Sequence, residues 1–550
     1  RAIAASAIQK RRSDGTAAHA TQTPPRKSTR KRELGRIQVM PPRELGRKSL
    51  VLFASTWSTT LLGMFISILI ARGLGPAVLG SLAFTLGLVG LVMAALLPGF
   101  GQAHLKRLAE GQDAGRCVGT MFAIQLALTL ALLAVLAAAS RAWRPADSPE
   151  LAVVFLWMLA AQLAGTFADA ALRVFVAREW VVPHALILLG GRAVRLVATI
   201  AILLWIPRVT WVAATFALEG ALNGAVATAL LAGRYDIRPR RPTRESLAGY
   251  WRYARPFVVT TPLALVQDSV DRYLVGRWAG LAAAGYYHVA RALWETLASI
   301  LAPPGTFLLT RLSALYARRS ETGDLEARAF FSGAVDKMFF VTTPLALLFW
   351  AFAEPAVVLL YGSSFAPAAT ALRVLVLATV AMAVVNPYTY VLYALELADR
   401  LVPVNLVRIA VYLALLWLLV PARPAIHGIV GPWPGDAGAA AARLVLVLFP
   451  AWIYWRWTRE EAGLPFHRRT TVYLVGFGVA VLSHHALLAL GAPLAGRSIL
   501  AAVAAAAALA VYLLFLMATH PGTRDNLRYA GSLLSPQRFG AFLREGLGRR

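Results

Sequence analysis

Seven arginines and five carboxylates interrupt runs of chain that are otherwise apolar: Arg192, Arg195, Arg272, Arg291, Arg373, Arg408 and Arg443 against Asp169, Glu219, Asp268, Asp271 and Glu295. Charged groups at membrane depth are costly, so they face a water-filled cavity or a partner. Arg192 and Arg195 are three residues apart near the middle of one run, and therefore share a helix face. Two like charges there require an acid on a neighbouring helix, with Asp169 the candidate, or an anionic substrate. Arg291 is equally deep. Asp268 and Arg272 are four apart, as are Arg291 and Glu295, so each pair can close an ion pair along one helix; Asp271 is then left without a local partner. If a coupling ion is used, Asp268, Asp271 and Glu295 are the carboxylates to carry it, because proton or Na⁺ coupling needs an acid in a hydrated path. Arg373, Arg408 and Arg443 lie closer to the ends of their runs, where a long side chain snorkels to the interface.

The elements that position these charges are membrane helices. Of 550 residues, 58% are hydrophobic and 15% charged, outside the range of ordinary soluble domains. Apolar runs of about 20 residues recur, the length that crosses a hydrocarbon core of about 30 Å. The fold class is all-α polytopic, with about fourteen spans. The net charge of +28 reads as basic loops on the cytoplasmic side rather than as a nucleic-acid surface. With both termini inside, inner segments hold 41 of the 55 Lys and Arg, and inner loops without the two tails still lead outer loops 22 to 7. Cys117 is the one cysteine, which leaves no internal disulfide and no cysteine metal site. Residues 1–48 are basic and rich in Thr, Ser, Ala and Pro, a composition that builds no core; Met40 is a candidate start. The first apolar run, too long for a signal-peptide core, reads as a retained span.

One turn occurs twice. Arg72-Gly-Leu-Gly-Pro-Ala-Val-Leu-Gly80 is echoed 205 residues later by Arg277-Trp-Ala-Gly-Leu-Ala-Ala-Ala-Gly285, with Gly75 matching Gly280 and Gly80 matching Gly285. Each turn closes the first span of a six-span set, so the sets cross in the same direction and form a parallel repeat about an axis along the membrane normal. The expected organisation is a basic tail (1–48), a first lobe of spans 1–6 (49–232) and a cytoplasmic linker (233–256). A second lobe of spans 7–12 (257–455), two extra spans (456–518) and a basic tail (519–550) follow. The last tail could lie on an anionic leaflet as an amphipathic helix, with Leu533, Leu534 and Phe539 among its arginines.

Residues 71–83 resemble the first inter-helix motif of oligosaccharide (Wzx-type) flippases of the multidrug/oligosaccharidyl-lipid/polysaccharide exporter superfamily. Asp271-Arg-Tyr-Leu-Val-Gly276 with Gly285-Tyr-Tyr-His-Val-Ala-Arg291 resembles that family's seventh and eighth spans, and Leu359-Leu-Tyr-Gly362 its motif after the ninth. Leu79 departs from the usual aromatic. The resemblance covers about residues 49–455. It implies movement of a polyprenyl-diphosphate-linked oligosaccharide from the inner to the outer leaflet of a bacterial plasma membrane, for surface polysaccharide synthesis. It also implies a cavity in the second lobe holding Arg272 and Arg291, whose forked donors suit phosphate; Arg192 and Arg195 join them on depth alone. Expected partners are the lipid-linked substrate, membrane lipids, a polysaccharide polymerase and glycosyltransferases. A lipid II flippase and a cation-coupled multidrug exporter of the same fold remain alternatives. No Walker loop, His-Glu-x-x-His or long outer catalytic loop is present, so the expectation is a transporter without cofactor or metal rather than an enzyme.

Overall fold

A computed structural model describes residues 42–94, 99–139, 148–255, 257–317, 321–421, 435–464, 468–491 and 497–520, with 523, 526 and 527. The helices are α1 (Pro42–Ala94), α2 (Phe100–Ala109), α3 (Ala114–Ala139), α4 (Pro149–Ala177), α5 (Val181–Trp205), α6 (Val209–Arg234), α7 (Arg244–Ala254), α8 (Phe257–Trp278) and α9 (Leu281–Tyr316). They continue as α10 (Glu321–Ala351), α11 (Ala353–Tyr361), α12 (Ala368–Ala394), α13 (Ala398–Leu419), α14 (Gly435–Leu448), α15 (Ala451–Ala462), α16 (Arg468–Gly491) and α17 (Arg497–Thr519). Among the described residues, 11 stretches are helical, long and apolar enough to cross a membrane. One of them, Ala54–Ala94, has 41 residues; as a straight helix it would measure about 60 Å, twice the hydrocarbon thickness. Gly75 interrupts it at φ 79°, ψ 179°. Two more helices, α8 and α9, are long enough to span but carry the charged residues of the site, which lowers their hydropathy. The chain is an all-α polytopic membrane protein.

The two turns found in the sequence share one backbone conformation. Gly280, ahead of α9, has φ 91°, ψ 165°, close to Gly75 and in a region that L side chains rarely enter. The partners of each turn are then seated on the other turn. A Cβ on Gly80 would stand 1.6 Å from the carbonyl oxygen of Leu281, and a Cβ on Gly285 would stand 2.2 Å from that of Pro76. Pro76 and Leu281 are themselves equivalent positions of the repeat. Residue i of one copy meets residue j of the other and j meets i, the signature of a two-fold contact. Around it α1 packs on both α8 and α9, while α4, α5 and α6 pack on one another and α9, α10, α12 and α14 form a second group. The pair α16 and α17 packs on α10. There Asp336 accepts hydrogen bonds from His520 Nε2 at 2.9 Å, Tyr473 OH at 3.2 Å and Asn526 Nδ2 at 3.0 Å.

Three boundaries differ from the expected ones. The helix of the first span begins at Pro42, not at 49; residues 1–41, to which the rest of the basic tail belongs, lie outside the described residues. The stretch 233–256, expected as a cytoplasmic linker, contains α7, which packs on α2 and α3. Thr243 and Ser246 close a capping box at its start, a reciprocal satisfaction of helix-end donors. The hydroxyl of Tyr250 meets His104 Nδ1 at 2.8 Å and donates to the Cys117 carbonyl at 3.3 Å. The ninth span, expected over about 338–361, divides between α10 and α11, with Phe352 between them. The amphipathic reading of the C-terminal tail falls on residues outside the described ones.

Candidate functional site

Asp271, on α8, is fully enclosed and is the hub of the charged cluster. Its Oδ2 accepts from Arg443 Nη2 at 2.7 Å, Tyr287 OH at 2.7 Å and Tyr412 OH at 2.9 Å. Its Oδ1 accepts from Arg291 Nη1 at 3.1 Å and from the backbone N–H of Arg272 at 2.8 Å. A carboxylate so surrounded is saturated with donors, the condition for keeping charge in a low-dielectric interior. Four helices, α8, α9, α13 and α14, meet on this one side chain.

Outside the hub stands a second shell of charge that reaches open space. Arg291 donates through Nε to Glu295 at 2.6 Å and through Nη2 to Asp268, and Arg272 Nη2 lies 3.7 Å from Glu295. Arg291 and Arg443 are 3% and 8% exposed, whereas Asp268 and Glu295 are 57% and 47% exposed. Three arginines thus face three carboxylates, two of them half in the open. The Arg291–Glu295 pair forms along its helix as expected. The Asp268–Arg272 pair does not: Asp268 turns to Arg291 across the α8–α9 contact, and Asp271, expected to lack a local partner, has the most. Arg443, expected to snorkel, is buried beneath Trp294 and Tyr412, 5.5 and 5.9 Å from their ring centres. Arg408 donates to Gln267 Oε1 at 3.2 Å, and Arg373 stands 3.7 Å from Glu354.

In the first half, Arg192 and Arg195 on α5 share one carboxylate, Glu219 on α6, at 3.3 and 3.1 Å. This replaces the expected partner Asp169, which pairs instead with Arg173 at 2.5 Å one turn along α4. Arg195 also lies over the Phe216 ring, 3.3 Å from its centre. Two guanidinium charges on one carboxylate leave an excess of one positive charge, and the Nε donors of Arg195 and Arg272 are buried with no hydrogen-bond partner. The sequence-derived arginines thus fall in two clusters, Arg272 and Arg291 with Arg443 around Asp271 and Glu295, and Arg192 with Arg195 on Glu219. The two glycine pairs lie at the turns, away from these charges.

Residues 45–313 match the sequence profile of the family described as polysaccharide biosynthesis protein. No curated protein matches the chain significantly. Among solved structures, the lipid II flippase MurJ in an inward closed conformation is similar at 12% identity, with a TM-score of 0.61, over 85% of this chain and 98% of that one. An inward-facing multidrug resistance MATE-family transporter of the MOP superfamily is similar at 15% identity and a TM-score of 0.56, over 76% and 98%. A MOP-superfamily transporter from Pyrococcus furiosus, described as having a binding pocket of reverse polarity, is similar at 17% identity and a TM-score of 0.50, over 76% and 96%. Residues 45–313 thus match the profile of the polysaccharide biosynthesis protein family, on a chain whose fold is similar to those of the MurJ and MATE-family structures.

Proposed function

We propose that the protein is a flippase that moves polyprenyl-diphosphate-linked oligosaccharide from the inner to the outer leaflet of a bacterial plasma membrane, by alternating access of two six-span lobes. Both termini face the cytoplasm, the side of the basic loops. The observation that supports this reading is the pair of arginine clusters, one on Asp271 and one on Glu219, in which the Nε donors of Arg195 and Arg272 are buried without a hydrogen-bond partner. Arg192, Arg195, Arg272 and Arg291 are the proposed diphosphate ligands, since a forked guanidinium bonds two phosphate oxygens at once. Asp268 and Glu295 hold Arg291 when no anion is bound and turn to water when one arrives. That exchange keeps the arginines paired in both states, which matters because a lone buried charge costs several kcal/mol. Of the three acids considered for ion coupling, these two have the access the role requires; Asp271 is enclosed. The prenyl chain stays in lipid at a lateral gap between the lobes, and glycosyltransferases and a polymerase act before and after the step.

The test is transport of a labelled polyprenyl-diphosphate oligosaccharide in proteoliposomes. Arg192→Gln, at a half-buried position, is expected to keep the fold and lower transport at least tenfold, about 1.4 kcal/mol of lost binding or barrier. Arg291→Lys is expected to keep some transport and Arg291→Ala none. Unchanged transport in Arg192→Gln and Arg291→Ala would defeat the proposal, as would a deletion strain that accumulates no inner-leaflet lipid-linked oligosaccharide. A lipid II flippase uses the same diphosphate chemistry and is separated from the main reading only by the glycan transported. A cation-coupled drug exporter is disfavoured by the excess positive charge at Arg192 and Arg195.

A further inference from the structure

A cavity of about 300 Å³ lies apart from the arginines, among α2, α3 and α4, with Thr261 of α8 closing it from the other half. Its volume is at the lower end of the range for small-molecule sites, about 300–1,000 Å³. Three glutamines from three helices line it: Gln102, Gln125 and Gln162. Gln162 is exposed near the middle of α4. Asp169, two turns further along, is half exposed. Exposed amides and acids at such depth face water or ligand, because hydrocarbon would strand their hydrogen bonds. The cavity carries no net charge, since Arg173 bonds Asp169 at 2.5 Å and its Nη1 donates to the Gly101 carbonyl at 3.3 Å.

Gln125 gives the cavity its direction. It is 4% exposed, and its Nε2 donates to the Thr166 carbonyl at 2.8 Å. That bond fixes which end of the amide is oxygen, and the Oε1 so placed is buried without a donor. Buried acceptors are rarely left so. A ligand here must supply a hydrogen-bond donor to Gln125 and both donors and acceptors to Gln102, Gln162 and Asp169. It is neutral, and it offers apolar edge to Phe100, which also lines the cavity. Hydroxyl-bearing rings have that chemistry: each O–H both donates and accepts, vicinal pairs suit a carboxylate, and C–H faces suit an aromatic ring.

We propose that this cavity is a saccharide subsite that takes a neutral, hydroxyl-rich sugar ring of the substrate, separate from the arginines that hold its diphosphate. The identification of the ring with the glycan of a lipid-linked substrate rests on the flippase reading; the hydroxyl-recognising character of the cavity does not.

The experiment uses the full chain in nanodiscs and two probes. Saturation-transfer NMR reads binding of free oligosaccharides (cellobiose, maltotriose and diacetylchitobiose), and a separate titration reads binding of sugar-free polyprenyl diphosphate. Saccharide binding is expected in the wild type and about tenfold weaker in Gln125→Leu and Gln162→Leu, the scale of one or two lost hydrogen bonds, with Gln112→Leu as an unaffected loop control. Polyprenyl diphosphate binding is expected to survive both cavity substitutions and to fall in Arg192→Gln. Gln162 is exposed, so its substitution tests the site even if Gln125→Leu disturbs packing. Saccharide signals unchanged in both cavity variants, or no saccharide binding in a protein that still binds polyprenyl diphosphate, would overturn the proposal. So would thermal stabilisation by NaCl that is abolished in Asp169→Asn without any saccharide binding, which would make the cavity a cation site. Saccharide binding with no polyprenyl diphosphate binding would remove the diphosphate reading and leave the subsite standing.

Discussion

Replacing Asp271 by Asn removes the enclosed carboxylate shared by Arg291 and Arg443. The side chain accepts five hydrogen bonds at 2.7–3.1 Å. An asparagine offers one carbonyl oxygen in place of two carboxylate oxygens and turns an amide donor toward groups that are themselves donors. Arg291 keeps Asp268 and Glu295. Arg443, 8% exposed, keeps among the described residues only the Gln267 carbonyl at 3.2 Å as an oxygen partner. Stranding a buried charge in this way costs about 3–5 kcal/mol. Asp268→Asn is the control: at 57% exposure its pair with Arg291 is worth about 0–1 kcal/mol once solvent screening is counted. Unfolding of purified protein in detergent, followed by fluorescence-detected size exclusion, should rank Asp271→Asn well below Asp268→Asn. Adding Arg443→Met to Asp271→Asn should recover part of the loss, because the stranded charge leaves with its partner, giving a coupling of about 1–3 kcal/mol. Equal loss from the two Asp→Asn variants, or strict additivity of Asp271→Asn and Arg443→Met, would refute the account of Asp271 as a saturated hub.

Gly80→Ala and Gly285→Ala should each destabilise by about 1–3 kcal/mol or more through overpacking, and to a similar degree, because their contacts are reciprocal; a melting comparison checks this, and one tolerant position would break the two-fold account. Glu219→Gln should weaken the hold on Arg192 and Arg195 and raise affinity for inorganic diphosphate, read by isothermal titration. Burial pushes His104 down to about 4 from an ordinary value of 6.5. A base with a depressed native pKa is protonated first in the unfolded chain, so its stabilising effect is complete above pH 6.5 and fades as pH falls toward 4. The loss is about 3 kcal/mol at full extent. A pH series of melting temperatures should show the fall, and His104→Gln should flatten it.

Much of the fold could be read from hydrophobic run length and from one repeated turn, because both are local. Gly75 and Gly280 mark positive φ, and Gly80 and Gly285 mark close approach; both demands select the same residue and leave it visible. Partner choice was harder, since it depends on depth as well as on sequence separation. Arg195 lies ten residues before the end of α5 at Trp205, and Glu219 ten residues after the start of α6 at Val209. In two antiparallel helices joined by a short turn these are equal depths, so Glu219 could have been chosen over Asp169, which lies near the opposite end of its own helix. Arg443 was misread because nearness to a helix end was taken as access to water. Its helix, α14, packs against α8, α9, α12 and α13, and an arginine enclosed among four helices has no route to the interface. Helix-to-helix contact of that kind leaves no periodic trace in a segment as rich in alanine as Ala437–Ala442. Tyr287 and Tyr412 were hidden for a similar reason, as each reads as an ordinary amphipathic side chain until its hydroxyl is placed on Asp271.

The division of charge between hub and rim bears on how such an interior can serve transport. An arginine cluster with no counter-charge would repel itself in a low-dielectric interior and either unfold the helices that carry it or bind any anion permanently. A cluster fully locked by carboxylates would bind nothing. Here one acid, Asp271, is enclosed and holds Arg291 and Arg443 in place whatever else occurs. The other two, Asp268 and Glu295, are half in the open on the same Arg291 and neighbouring Arg272. On the proposed reading, an incoming anion would compete with these half-exposed carboxylates rather than with the hub. Under the proposed function, the positions of Arg291 and Arg443 would be set by one interaction and the occupancy of the site by another, so that a ligand could be bound and released without the site losing its shape.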